Sequence, residues 1–270
     1  MVTLQLVMKY SKKNITLFLL ILVLFSFKSD NFEFRKMDNT AFIQGETIEF
    51  RIHYGFVTAG YGSIRVLPYL EKIKGRDVYH VIGKGKSASS FDWFFKVRDE
   101  YHSFIDVNAL APLKYSKEQH EGGYNDQDNA AFDHEKKMVT SIKGSISMPE
   151  YTQDIISMLY YARSLKVKDA AIGTTYPITF YLDKAVTKIS LKIIGREIIY
   201  TDLGKFNAIK IRPQVIADRV FKDEDAMTLW VTDDANLLPL RIQADLAVGS
   251  IKADIVKYSN LKNNADALVK

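Results

Sequence analysis

Met227-Thr228-Leu229-Trp230-Val231-Thr232-Asp233-Asp234-Ala235-Asn236-Leu237-Leu238-Pro239-Leu240-Arg241-Ile242-Gln243-Ala244-Asp245-Leu246, running on to Tyr258, decides the fold class. Its first arm is β-branched and aromatic, its centre is turn chemistry, and Leu240, Ile242, Ala244 and Leu246 then alternate with Arg241, Gln243 and Asp245. Period two on both sides of an Asp-Asp-Ala-Asn turn makes a hairpin with one apolar face. Beyond Gly249, Ile251, Ala253 and Ile255 alternate with Lys252 and Asp254, so a third strand returns beside the second. Pro239 opens a strand here, a position where a missing N–H is tolerated.

The same pattern extends towards the amino terminus. Ile48, Phe50, Ile52 and Tyr54 share one strand face; Ser63 to Leu67 starts a second strand that Pro68 should stop, and Val78 to Ile82 makes a third. Phe91, Trp93, Phe95 and Val97 fall on one face of an expected strand over 91–98, with Tyr101, Ser103 and Ile105 following. Short strands are expected again near Leu113 to Lys117, Ala130 to Phe132, Met138 to Ile142, Tyr176 to Leu182, Thr187 to Ile194, Glu197 to Tyr200 and Phe206 to Arg212. Between them, Tyr151, Ile155, Met158, Leu159, Ala162 and Leu165 recur at helical spacing, and Ser147-Met148-Pro149-Glu150 reads as a capping box. The expectation is a mainly β protein: a large antiparallel curled sheet, barrel or half-barrel, with one central amphipathic helix, forming a single domain over 40–260. A split into two domains at the helix is the alternative.

Of 37 basic residues, four (Lys9, Lys12, Lys13 and Lys28) belong to an amino-terminal segment without acidic residues, which leaves 33 against 32 acidic ones. So balanced a body gives no electrostatic footprint for nucleic acid. After Lys13 comes an uncharged run to Phe27 with eleven Ile, Leu, Val or Phe residues, worth about −3 to −7 kcal/mol on membrane insertion. Its length suits a signal peptide over 1–29 better than a full membrane span, although no A-x-A site follows and an uncleaved amino-terminal anchor is the other reading. Export puts the body in the periplasm, with membrane contact through this segment alone. There is no cysteine, which excludes disulfides, thiolate metal sites and a cysteine nucleophile.

No catalytic spacing emerges. Gly85-Lys86-Ser87 lacks the upstream glycine of a phosphate loop, His80 standing in its place, and reads as a basic turn. There is no G-x-S-x-G elbow, and the five histidines make no H-E-x-x-H pair. His120 to His134 gathers carboxylates, but Ala131 stands where a calcium loop needs glycine, and a solvated acidic loop explains them better. Asp233 and Asp234 are better turn formers than paired acid and base. No cofactor, metal site or catalytic residue is therefore expected. The remaining candidates are apolar: Trp93, Phe95, Tyr101, Tyr151, Ile155, Met158, Leu159 and Trp230 as the lining of a ligand space inside the curl, with ordinary core packing as the other explanation.

Gly45-Glu46, Tyr54, Ala59-Gly60, Asp99-Glu100-Tyr101-His102-Ser103, Gln153-Asp154, Gly204-Lys205-Phe206 and Trp230-Val231-Thr232-Asp233-Asp234 with Pro239 occur in an order that resembles the domain of unknown function 3108 family of exported bacterial proteins. The last hairpin is also similar to the closing strands of outer-membrane lipoprotein-sorting proteins, open barrels with helices over an apolar cavity. That likeness implies a lipid or lipoprotein ligand and no catalytic residue. Three functions follow as expectations: a non-enzymatic envelope protein that binds a hydrophobic or lipid-like ligand; a structural or assembly factor working through a sheet edge or Tyr124 and its glycine-rich loop; and, last, an envelope-polymer hydrolase using Asp126, Asp128 or Asp233.

Overall fold

Two meanders, one from each half of the sequence, share a single antiparallel sheet. The computed structural model describes residues 32–215 and 227–269, so the expected signal peptide or anchor over 1–29 lies outside the described residues. Arg35–Lys270 is one compact unit. The first meander contains β1 (Thr47–Tyr54), β2 (Val57–Ile73), β3 (Arg76–Ser87), β4 (Arg98–Asp106), β5 (Pro112–Glu121), β6 (Tyr124–Asp133), β7 (Met138–Ser141) and β8 (Gly144–Ser147). After the helix α1 (Ser157–Arg163), the second contains β9 (Thr175–Leu182), β10 (Ala185–Thr201), β11 (Gly204–Val215), β12 (Met227–Thr232), β13 (Pro239–Asp245) and β14 (Ser250–Ser259); β15 (Leu268–Val269) pairs with β11. The order is β8-β7-β6-β5-β4-β3-β2-β1-β14-β13-β12-β11-β10-β9, so β1 and β14 join the meanders in the middle and β8 and β9 are the two edges.

The sheet curls but does not close into a barrel. Closure would need β8 to pair with β9, and the chain between them takes the place of that pairing. Residues 148–174 cross the concave side, and Gln153 adds a parallel bridge to the β9 edge: its N–H donates to Thr179 O at 2.8 Å and its carbonyl accepts from Tyr181 N at 2.7 Å. Tyr181 then packs beside Tyr115, Phe132 and Val139, and its hydroxyl donates to Asp128 Oδ2 at 2.8 Å, holding β9 against the inner face of β5–β7.

The helix is shorter than its periodicity suggests. Ser147 ends β8 rather than capping a helix, Tyr151 has φ +59°, and only Ser157–Arg163 is helical. Asp154 sets that start: one carboxylate oxygen accepts from the N–H groups of Ile156 and Ser157, while Ser157 Oγ accepts from the N–H of Asp154. The apolar residues of 151–165 recur because this segment is covered from two sides. Ile156 and Tyr160 pack on Phe42, Val66, Val81 and Ile105 of the first half. Met158, Tyr161, Ala162 and Leu165 pack on Ile178, Ile193 and Ile209 of the second. Pro68 also departs from expectation: β2 runs through it, with a register shift between Val66 and Leu70 that absorbs the missing N–H.

One ion pair ties the crossover to the sheet. Arg163, on the last turn of α1, donates to both oxygens of Glu46, at 2.6 and 2.8 Å, and to the carbonyls of Asn236 at 3.0 Å and Ala41 at 3.2 Å. Both side chains are fully buried. Asn236 in turn binds the carbonyls of Asn263 and Asn264, and Asp234 accepts from Thr232 Oγ1, Asn236 N and Ala267 N, so Asp234 is a turn residue that also pins the carboxy-terminal tail. Replacing Glu46 with Gln leaves the guanidinium charge buried without its counter-ion, and a loss of about 3–5 kcal/mol is expected in denaturant unfolding. Removing the exposed Lys72–Asp77 pair in the same assay should cost under about 1 kcal/mol.

Asp154 gives the fold a pH signature. Burial pushes its carboxyl up to about 6, against the hydrogen bonds from Ser103, Ser157 and Ile156 that favour the charged form. Because the folded state then binds the proton more tightly than the unfolded state, this group's contribution is fully present below about pH 4, falls as the pH rises to about 6, and is constant above that. Between wild type and Asp154→Asn, the difference in unfolding free energy should change by on the order of 3 kcal/mol across that window; an identical pH profile for the two proteins would contradict it.

Candidate functional site: the aromatic rim

Every odd-to-even connection of the sheet falls at one end, because all these pairings are antiparallel. That end is a rim of hairpin tips, and several of its most exposed residues are large and apolar. Phe56 at the β1–β2 tip is 94% exposed, Trp93 and Phe94 in the β3–β4 connection are 84% and 73% exposed, and Val248 at the β13–β14 tip is 76% exposed. Tyr124 at the β5–β6 tip and Ile142 at the β7–β8 turn are exposed as well. Neighbouring tips touch. Tyr54 Oη donates to Val248 O at 3.0 Å, Ala88 N donates to Ala59 O at 2.8 Å, and Gly122 N donates to Lys96 O at 2.9 Å. Further round, Asp126 accepts from Lys117 at 2.8 Å and Lys143 at 2.6 Å, and Lys117 reaches Asp183 of the β9–β10 turn at 2.5 Å. These two ammonium groups hold the Asp126 carboxyl down at about 2.

The connection carrying Trp93 is a built structure rather than a strand. Ala88 O accepts from Phe91 N and Asp92 N, and Phe91 O accepts from Phe94 N and Phe95 N, so residues 88–95 form consecutive turns. At the root, Arg98 grips both oxygens of Asp92 at 2.6 and 3.1 Å, Ser87 Oγ donates to Asp92 at 2.5 Å, and this clamp holds the Asp92 carboxyl at about 2. Phe95 lies over Gly122: a Cβ there would stand 2.2 Å from the ring. With Phe95 anchored, Trp93 and Phe94 project to solvent, edge to face, with ring centres 5.9 Å apart. An expected strand face over 91–98 is thus corrected to an aromatic knuckle. The signal was in the residues: three consecutive aromatics cannot share a strand face, and Ser89-Ser90 with Asp92 is turn chemistry.

The other expected lining residues do not gather around a space. Trp230 is core, packed with Phe50, Phe206 and Leu240, and its indole N–H donates to Glu197 at 2.6 Å. Tyr101 and Ile155 fill the inner face near Tyr115, and burial pushes the Tyr101 hydroxyl up to about 12. Met158 packs in the second half and Leu159 is half-buried on α1, while Tyr151 receives the Arg35 N–H on its hydroxyl and the Arg35 guanidinium over its ring at 4.2 Å. Cavities of about 890 and about 280 Å³ lie on the outer side of the sheet. The larger crosses β14 and β1–β5, lined by residues such as Thr47, Ser63, Arg65, Lys84, Lys86 and Arg98. Gly85-Lys86-Ser87 lies within β3, not in a turn.

A family model described as protein of unknown function (DUF3108) matches residues 49–256. The chain belongs to that family. No curated protein matches this DUF3108 chain. Among solved structures, it is similar to the β-barrel-like protein of domain of unknown function DUF1849 from Brucella abortus, with a TM-score of 0.54 and 9% identity over 82% of this chain and 99% of that one. Weaker likenesses are to a predicted lipoprotein from Parabacteroides distasonis (TM-score 0.37, 11% identity, 84% of this chain and 100% of that one) and to a predicted exported protein with a YmcC-like fold from Bacteroides fragilis (0.32, 9%, 83% and 99%). The Brucella protein supports the curled-sheet fold alone.

In this DUF3108 protein the carboxylates considered for hydrolysis are separately engaged: Asp126 by two lysines, Asp128 by Tyr181, and Asp233 by Arg196 at 3.2 Å. Gly122 combines φ +54° with the contact to Phe95. Gly122→Ala should therefore cost about 1–3 kcal/mol in denaturant unfolding. Much of that penalty should vanish in a Phe95→Ala background, and a double-mutant cycle measures the coupling.

Proposed function

We propose that this protein is an exported, non-enzymatic envelope protein that rests its aromatic rim on the surface of a lipid bilayer. The carrying observation is the knuckle at 88–97, which holds a Trp and a Phe largely out of the fold at the same end as Phe56 and Val248. Holding such side chains in water has no benefit to the monomer, since each loses roughly 1.5–3 kcal/mol of burial. Tryptophan and phenylalanine on separate short tips suit the boundary between headgroups and acyl chains, where each ring inserts on its own. Exposed Lys96 and Lys184 at the same end add attraction to an anionic leaflet. The leader sequence favours the same setting, because an apolar run behind basic residues delivers the chain to a membrane whether or not it is removed.

The chain has two tryptophans, one on the rim and one in the core, so fluorescence can separate them. With vesicles containing lipids brominated near the headgroup end of the acyl chain, Trp93 emission should shift to shorter wavelength and be quenched. The Trp93→Phe protein, which emits only from the buried Trp230, should show neither effect. Unquenched Trp93 in the presence of vesicles would overturn the reading.

A further inference from the structure

We propose that the outer-face groove is a binding site for a phosphate-bearing anion, centred on Ser63. The groove holds about 890 Å³ and reaches the rim where Lys86 ends its run on β3 and Arg98 opens β4. Strand register places the groups. Ser63 lies directly opposite Lys84, Tyr61 opposite Lys86, and Arg65 opposite Thr47 on its other side. Along β2 the outward residues are therefore Tyr61, Ser63 and Arg65, and along β3 they are Ile82, Lys84 and Lys86, so three cations surround one hydroxyl. Gly83 and Gly85 occupy the alternate positions of β3, and Gly83 is where Ile156 packs from inside, its side chain 2.8 Å from an added Cβ. On its inner face this strand sends Tyr79 and Val81 into the core and leaves bare backbone at Gly83 and Gly85, and on its outer face it carries the two lysines.

The pairing of these charges separates structural from free ones. Lys84 is bonded to Glu100 at 2.9 Å and Arg98 to Asp92 at 2.6 Å. Arg65 and Lys86 are exposed and make no ion pair among the described residues, although both line the groove. Two unpaired cations beside Ser63 and Thr47 hydroxyls match an anion with several acceptor oxygens, which a phosphate provides better than a carboxylate. Four carboxylates line the groove: Glu100 is taken up by Lys84, Asp99 accepts from the His120 N–H at 3.0 Å, and the other two are Glu49 and Glu118. Glu49 lies opposite Ser63 and is held by Lys257 at 3.2 Å, and Glu118 lines the far side on β5. Glu49 thus opposes the anion, and its removal should strengthen binding, which a role in folding would not produce. If the rim lies on a bilayer, as proposed above, the groove meets lipid headgroups, and the phosphate is theirs.

Calorimetric titration of the full chain tests this with two soluble probes, dihexanoyl phosphatidylglycerol and inorganic phosphate. The short-chain lipid should bind saturably. The Arg65→Gln/Lys86→Gln double variant should weaken it about tenfold or more, and Glu49→Gln should tighten it. Equal affinity for inorganic phosphate would support the anion site and assign its source to the free ion. Absence of saturable binding by either probe, or binding indifferent to the double variant, would overturn the proposal. Trp93 quenching by vesicles without binding of either probe removes the groove alone; binding of the probe without Trp93 quenching removes the rim reading and leaves the groove.

Discussion

The contact between Arg163 and Glu46 is the constraint on which this architecture rests. A sheet of this size could bring its edge strands together and close, with side chains filling the interior. Here the interior is filled by the chain's own crossover, and a crossover needs fixing to both meanders at once. The guanidinium does this through direction: its fork meets Glu46 at the start of β1 while its remaining N–H groups reach Ala41 and Asn236. An apolar side chain would supply burial but no such orientation. The tail from 260 onwards is knitted to the same place through Asn236 and Asp234, so one polar knot organises that end of the molecule.

The two ends of the sheet consequently differ in chemistry. At the knot end, connections are satisfied internally: Asp106, for example, accepts from Arg76 and from the N–H groups of Asn108 and Ala109. At the rim, polar groups brace the tips from beneath while Phe56, Trp93, Phe94 and Val248 are turned to solvent. His53 binds Gly55 O at 2.6 Å and Asp254 at 3.1 Å under the β1–β2 tip, just as Asp92 and Arg98 support the knuckle. Rigid supports under exposed rings distinguish this end from a loose loop, since ordering is already complete before any contact is made.

Most of the strands were legible because period two is a local property. Ile48 to Tyr54, Pro239 onwards and the Asp-Asp-Ala-Asn turn all sit where alternation and turn chemistry put them. Misreadings arose where another force overrode the period. Phe91 to Val97 alternates in hydrophobicity, yet the Ser-Ser-x-Asp segment and the glycine that receives Phe95 turn it into a knuckle. Residues 151–165 repeat like a helix because two layers cover them, and a segment buried on both sides needs apolar residues whatever its backbone does. The closed-or-open question was not legible at all: it depends on Gln153 meeting the β9 edge and on Arg163 finding a glutamate 117 residues away, neither of which leaves a trace in periodicity. The aromatic lining expected inside the curl dispersed for the same reason, since the crossover occupies that volume.

The placement of β1 has a kinetic meaning. It lies between β2, its sequence neighbour, and β14, whose partners come from the other end of the chain: Thr47 pairs with Ser259 and Tyr54 with Ile251. Apart from β15 on β11, every other strand pairing of the sheet joins neighbours in sequence, and so carries little loop-closure entropy. A chain emerging from its amino terminus can therefore assemble β2 to β8 promptly while one side of β1 stays without hydrogen-bond partners until β14 arrives. The carboxy-terminal hairpin is the late piece that seals the centre of the sheet, and a chain truncated before it would expose an open interior edge to whatever strand it met first.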